Sequence, residues 1–331
     1  MSYLLEPLTE GPLLLHNRLV MPPMGTEKAE SSGKVNRELL DYYDEKSKGA
    51  YIGLVIVEHS YIAPEGKASP RQLSAATDET IEGLKQLAET IQANGSRAVV
   101  QINHAGSNTT GEVTGATPAA PSAVMHPKRK TMPRELSEIE IDQIVQSFSS
   151  AALRVKEAGF DGVEIHAAHG YLLNQFYSPL TNKRTDYFGG NLENRINIHL
   201  AVIEAIRETV GEDYPLLLRL GASDYMEGGV TIEDSIFAAH EFEKAGVDIL
   251  DISGGLSGYS IPGLTGQGFF APLTEAVKKK VAVPVILTGG ITEVRAAEEL
   301  IARNKADLIG VGRAIFKDSE WAQKAIESLN I

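Results

Sequence analysis

The sequence predicts an α/β fold, a single (β/α)8 barrel of the TIM type, on three observations. Short apolar runs alternate with amphipathic helical segments along nearly the whole chain. The alternation repeats eight times, as closure into a barrel requires. The G-x-G-x-x-G pattern that a doubly wound sheet carries after its first strand is missing, which leaves that fold as the runner-up. At 331 residues the chain is long for one core but not for a barrel with insertions, so residues 1–331 are expected to form one domain.

The first predicted strand is Arg18–Met21, followed by a helix over Arg37–Lys48. Gly53–Glu58 leads to Thr80–Asn94, and Ala98–Ile102 to Glu138–Ala158 after a long connection. Ser137, ahead of Glu138 and Glu140, is a good N-terminal cap, and Ala158-Gly159 is a stop. Gly162–His166 precedes the helix Leu192–Val210, and Leu216–Leu220 precedes Thr231–Ala245, which Gly246 ends. The last three pairs are Ile249–Ser253 with Pro272–Lys280, Val285–Thr288 with Thr292–Arg303, and Leu308–Val311 with Ser319–Leu329.

A barrel carries its chemistry at the C-terminal ends of its strands. Pro22, Pro23, Met24, Gly25 and Thr26 follow the first strand, Glu58 and His59 end the second, and Gln101, Asn103 and His104 end the third. His166, His169 and Tyr171 follow the fourth, then Arg219, Asp224 and Tyr225 the fifth. Two imidazoles and a phenol within six residues can bind a developing anion and supply a proton. Taken alone, the same residues suit a packed, satisfied cluster or part of a metal site, although no third ligand follows at a recognisable spacing. Gly289 and Gly290 after the seventh strand, with Gly312 and Arg313 after the eighth, form the usual phosphate cradle of the fold or else serve tight turns.

Composition excludes several classes. A net charge of −13 argues against nucleic acid and anionic membranes as partners. The chain has no cysteine, which removes disulfides, thiolate nucleophiles and cysteine-held clusters. The N-terminus does not read as a signal peptide and no apolar run reaches the ~18 residues of a membrane span, so a cytoplasmic location is expected.

Several stretches carry a family likeness. They are N-R-L-V-M-P-P-M-G-T at Asn17–Thr26, V-Q-I-N-H-A-G at Val100–Gly106, A-P-S at Ala120–Ser122 and I-H-A-A-H-G-Y-L-L at Ile165–Leu173. S-P-L-T-N-K-R-T-D-Y-F-G-G at Ser178–Gly190, E-N-R at Glu193–Arg195 and G-V-G-R at Gly310–Arg313 complete the set. The chain resembles the old yellow enzyme family of FMN-dependent ene-reductases over nearly its whole length. The resemblance implies that Pro23, Met24 and Gly25 line the flavin, Gln101 bonds its pyrimidine edge and Arg219 sits by its N1 and O2. Gly289, Gly290, Gly312 and Arg313 would hold the phosphate. His166 and His169 would grip the carbonyl oxygen of an activated alkene. Hydride would pass from NADH or NADPH through flavin N5 to the β-carbon, with Tyr171 protonating the α-carbon. The expected partners are therefore small molecules, with a homo-oligomer left open.

Two departures from the family pattern stand out. Some relatives carry a cysteine or threonine near the flavin after the first strand, where this chain has Gly25 and Thr26. M-P-P-M-G-T is similar to the bacterial subgroup of 2,4-dienoyl-CoA and enoate reductases, which have further C-terminal domains and an iron–sulfur cluster. Without cysteine a cluster relay is excluded in this chain, so electrons are expected directly from the nicotinamide donor and the barrel alone is expected. The connection Ser107–Leu136, with H-P-K-R-K at His126–Lys130, either meets a phosphate of such a ligand or is solvated loop charge. Gly254–Phe270, with Tyr259, Phe269 and Phe270, forms an apolar wall or a plain surface loop. A competing class is a cofactor-free or metal-dependent lyase using His166, His169, Glu58 and Asp224. A ligand carrier without catalysis is a third, and it leaves Tyr171 unexplained.

Overall fold

In the computed structural model, which describes residues 2–329, eight parallel strands close into a barrel. The strands are β1 (Leu19–Met21), β2 (Leu54–Tyr61), β3 (Arg97–Asn103), β6 (Gly162–Ala167), β7 (Leu216–Gly221), β8 (Ile249–Ser253), β9 (Val285–Thr288) and β10 (Leu308–Gly310). β4 (Ala119–Ala120) and β5 (Arg134–Glu135) pair outside the barrel. All eight expected strands are present. β2 overruns its expected end by three residues because the register shifts between Val57 and Ser60, which lets the strand continue to Tyr61.

The eight long helices also fall where the pattern places them: α1 (Arg37–Ser47), α2 (Ile81–Ala93), α4 (Glu138–Glu157), α6 (Leu192–Val210), α7 (Ile232–Lys244), α8 (Ala271–Lys278), α9 (Val294–Ala302) and α11 (Trp321–Leu329). Ser137 caps α4 reciprocally with Glu140, and Thr231 caps α7 with Asp234 in the same way. Three short helices lie in stretches expected to be loop: α3 (Gly111–Thr114), α5 (Leu172–Tyr177) and α10 (Arg313–Lys317). None is long enough to show a 3.6-residue period.

Alternation along each strand divides two cores. Val55, Val57, Val163, Ile165, Leu218 and Leu250 face outward into the shell shared with the helices. Val20, Leu54, Ile56, Val99, Leu217, Ile249, Ile286 and Leu308 fill the barrel interior, joined from below by Leu13 and Leu15. The residues two further along those inward rows are polar: Gln101, Arg219, Asp251 and Thr288, with Glu164 and His166 on β6. The interior is thus apolar at its base and polar under its mouth. No described helix is long and apolar enough to cross a membrane.

Candidate active site

Above that polar layer opens a cavity of about 500 Å³, inside the ~300–1,000 Å³ range of small-molecule sites. Its lining contains all twelve residues assigned a catalytic or cofactor-binding role from the sequence, but not Thr26, Glu58, Asn103, His104, Asp224 or Tyr225. Pro23, Met24 and Gly25 come from the end of β1, Gln101 from β3, and His166, His169 and Tyr171 from β6 and the turn after it. Arg219 comes from β7, Gly289 and Gly290 from the end of β9, and Gly312 and Arg313 from the end of β10.

The turn after β6 has a clear local cause. His169 adopts φ +58° and Gly170 φ +71°, so two successive left-handed residues fold the chain back. Asn174 accepts the Gly170 N–H at 2.7 Å, and Gln175 donates to the Gly170 carbonyl at 2.7 Å and to Ala105 at 3.1 Å. Tyr171 is thereby returned against β6, its ring centroid 4.9 Å from that of His166. The His166 and His169 rings meet edge to face at 5.1 Å. His169 Nε2 lies 2.7 Å from Ser253 Oγ, which leaves its Nδ1 for a ligand.

His166 is different, since neither ring nitrogen has a hydrogen-bond partner among the described residues and its Nδ1 is buried. Leaving such a group unmade costs ~1–3 kcal/mol, a cost that a bound ligand would remove. Burial, then their mutual proximity and Arg219, hold His166 well below the usual histidine range; burial and Arg219 do the same to His169. Both rings are neutral at pH 7. Burial pushes the Tyr171 phenol up to about 12, so it keeps its proton.

Beneath them, Gln101 Nε2 donates to Glu164 Oε1 at 2.7 Å, and Arg219 Nε lies 3.1 Å from Asp251 Oδ2. That ion pair is close but off the hydrogen-bonding direction, since both atoms lack a formal partner. Burial raises both carboxyls and the Arg219 charge opposes the shift. A proton retained on Glu164 beside the Arg219–Asp251 pair keeps the layer close to neutral, which is how such a layer tolerates its dry position.

The glycine turns divide by cause. Gly290 has φ +67°, and a Cβ there would come 2.6 Å from the Gly266 carbonyl, so its own turn explains it. Gly289 and Gly312 do not have positive φ. A Cβ at Gly312 would sit 3.0 Å from Met24 Sδ, and one at Gly289 3.2 Å from Phe270. At both positions a side chain would crowd the neighbouring wall of the cavity, so glycine is needed there for close packing.

Other lining residues had been given no assigned role in the site. Ser253, Thr288 and Phe270 line the cavity, with Lys128 and Asn108 from the long connection and Tyr259 from the loop after β8. Of the two readings of that loop, each is met in part: Phe270 is buried in the cavity wall with Phe269 packed on it at 4.6 Å, whereas Tyr259 lines the cavity but is exposed. His59 also lines the cavity; it was noted at a strand end and given no role. Asp224, considered for a lyase site, is fully buried and accepts from Ser178, Val230 and Leu256. Its oxygens are committed to loop structure, and neither it nor Glu58 lines the cavity.

The stretch Ser178–Gly190, the most specific part of the family likeness, is a clasp. Asn182 donates to the Phe176 and Phe188 carbonyls, and Arg184 to those of Pro121 and Leu136. It ties the long connection to the barrel mouth.

A closed barrel with this lining is the arrangement expected of the old yellow enzyme family. The family model described as the NADH:flavin oxidoreductase / NADH oxidase family matches residues 3–331, and the chain belongs to that family. It is 43% identical over 324 residues to an NADH oxidase from Thermoanaerobacter brockii, covering 96% of this chain and 50% of that protein. It is 38% identical over 325 residues to an NADPH dehydrogenase from Halalkalibacterium halodurans, covering 98% and 92% respectively. The chain thus spans about half the length of the first of these relatives and nearly all of the second. The solved old yellow enzyme homologue from Zymomonas mobilis superposes with a TM-score of 0.86 at 27% identity, over 98% of this chain and 92% of that one. The cofactors of the family are FMN and NAD(P)H, and the cavity fits FMN. The glycines at the ends of β9 and β10 in its lining, the Arg219 cation and the unpartnered His166 ring are compatible with such a ligand.

Proposed function

We propose that residues 1–331 act as one unit, an NAD(P)H-dependent flavin oxidoreductase that reduces the activated C=C bond of an α,β-unsaturated carbonyl compound. The observation that carries this reading is a single cavity with two kinds of wall: a cofactor-type floor, and a cluster of two neutral imidazoles and a protonated phenol above it. Bound FMN would supply two-electron transfer between the nicotinamide donor and the alkene.

The chain's own groups do the rest. Pro23, Met24 and Gly25 line one face of the cofactor site, Gln101 reads a polar ring edge from Glu164, and Arg219 places a buried positive charge where negative charge accumulates. The N–H groups around Gly289, Gly290 and Gly312, with Arg313, hold the phosphate. His166 and His169 donate to the substrate oxygen and stabilise enolate charge as it develops. Tyr171 holds the proton that reaches the α-carbon, a role suited to a phenol that burial keeps protonated. Phe270 and Tyr259 exclude water from one side.

The test is uptake of cofactor. The protein should purify yellow or take up one FMN per chain, and the colour should bleach with NADH or NADPH under anaerobic conditions and return on adding a cyclic enone. A protein that binds no FMN overturns the reading, and one that bleaches but is indifferent to every enone overturns the substrate class.

A further inference from the structure

Among the cavity residues, His59 has no role in the reading above, and its surroundings are unusually well defined. Gln72 is the orienting group. Its Oε1 accepts the Ala68 N–H at 2.6 Å, and its Nε2 donates to the His59 carbonyl at 3.0 Å. Turning the amide round would set oxygen against oxygen and N–H against N–H, so these two bonds fix which end is which. The same NH2 group lies 2.8 Å from His59 Nδ1. An amide nitrogen only donates, so Nδ1 must be the bare acceptor of the ring, and the proton is on Nε2. The Asn103 amide approaches Nδ1 from a second direction at 3.4 Å. Burial, reinforced by Arg219, pushes the ring down to about 4, so it carries no charge near neutrality.

Nε2 has no protein acceptor among the described residues, and it faces the strand end that lines the cofactor site. A Cβ built on Gly25 would lie 3.3 Å from Nε2, closer than most real side chains approach. Gly25 and His59 are therefore complementary: the loop after β1 gives up its side chain at this point and an imidazole from β2 fills the place. On its other side the ring lies 5.2 Å from Tyr171 and 6.2 Å from His166, centroid to centroid. It stands between the cofactor-lining segment and the substrate cluster.

We propose that His59 is a further cofactor-binding residue, which donates its Nε2–H to an acceptor of the bound flavin and favours the electron-rich reduced state. This rests on the flavin reading of the cavity. A fixed N–H donor in a dry site stabilises added electron density more than it stabilises the oxidised ring. Because Gln72 and Ala68 hold the donor's orientation from behind, no reorganisation is needed when the charge arrives.

Three measurements test it. In the protein without flavin, 15N NMR should show the His59 ring neutral at pH 7 with its proton on Nε2; a proton on Nδ1 overturns the proposal. In the flavin-loaded protein, His59→Leu should lower the midpoint potential, by about 30 mV for each tenfold loss of preference for the two-electron reduced state. His59→Gln, which keeps an N–H at similar reach, should recover part of that shift, whereas loss of packing alone would move both variants alike. A wild-type protein that takes up no FMN overturns the function proposed above. A wild-type protein that binds FMN, with His59→Leu at the same potential, overturns the role of His59 alone. If His59→Leu fails to hold the cofactor, the tautomer and the His59→Gln potential still decide.

Discussion

The two sides of the cavity are built in opposite ways. On the β6 side, His166, His169 and Tyr171 come from one six-residue stretch, and a backbone turn brings them together on the cavity. His166 is left without a protein partner. On the β1–β2 side, the bare Gly25 and the ring of His59 come from separate strands, and the ring is held from behind by Gln72 and Asn103. The first side keeps hydrogen-bonding capacity open, as the proposed substrate role needs. The second commits most of its capacity to the protein and leaves one fixed donor, as the proposed cofactor role needs.

Tyr171→Phe breaks the comparison most sharply. It should slow flavin reoxidation by an enone of low intrinsic reactivity ~10²–10⁴-fold, the usual worth of general acid catalysis, and largely spare reduction by NAD(P)H. Stopped-flow traces of the flavin colour separate the two half-reactions. With the phenol pushed up to about 12 and both imidazoles held well below their usual range, none of the three changes protonation between pH 6 and pH 9. None of the three should therefore give the oxidative rate a pH dependence over that window, whereas Glu164 beneath them, raised to about 8 by burial, does titrate there. A Phe variant that reoxidises as fast as wild type would remove the tyrosine from its role.

Arg219→Met acts on the floor beneath both sides. A buried cation beside a group that gains negative charge typically shifts its equilibrium by ~1–3 powers of ten, or ~30–90 mV for two electrons. The midpoint potential should fall by that order. Asp251 complicates the change, because it would lose its cationic neighbour at 3.1 Å and gain a proton instead. Arg219→Met with Asp251→Asn should isolate the effect on the flavin. An unchanged or higher potential in both variants would count against the placement of Arg219.

The barrel was legible because period-two and period-3.6 patterns survive in the long elements, and because Ser137 and Gly159 punctuate α4 as caps should. The β6 side was legible because its three groups are neighbours in sequence. The β1–β2 side was not, since Gly25, His59, Gln72 and Asn103 meet only after three strands and a loop have closed. The polar layer was only half visible: Gln101 and Arg219 stood out, whereas Glu164 and Asp251 lay within apolar strands, where only the inward register gives them meaning. Ser178–Gly190 stood out as family likeness, yet its work is structural, clasping the long connection through the Pro121 and Leu136 carbonyls.

The smallest effect should come from that connection. Lys128 is exposed at the cavity mouth, and Arg129 donates from Nε to Asn108 Oδ1 at 3.2 Å beside it. Both differ from Arg219 in being wet. A charge in water is screened beyond ~8–10 Å at ordinary ionic strength and contributes little to a pairwise contact. Lys128→Ala should therefore raise KM for NADH or NADPH by no more than about two- to fivefold at low salt, leaving the enone half-reaction unchanged. The difference from wild type should vanish in high salt, because what is lost is steering and weak pairing with a phosphate. An equal rise in KM for an uncharged enone would mean that the residue shapes the mouth sterically. A KM difference that persists at high salt would mean a direct, desolvated contact, and the connection would then belong to the site as fully as the barrel strands do.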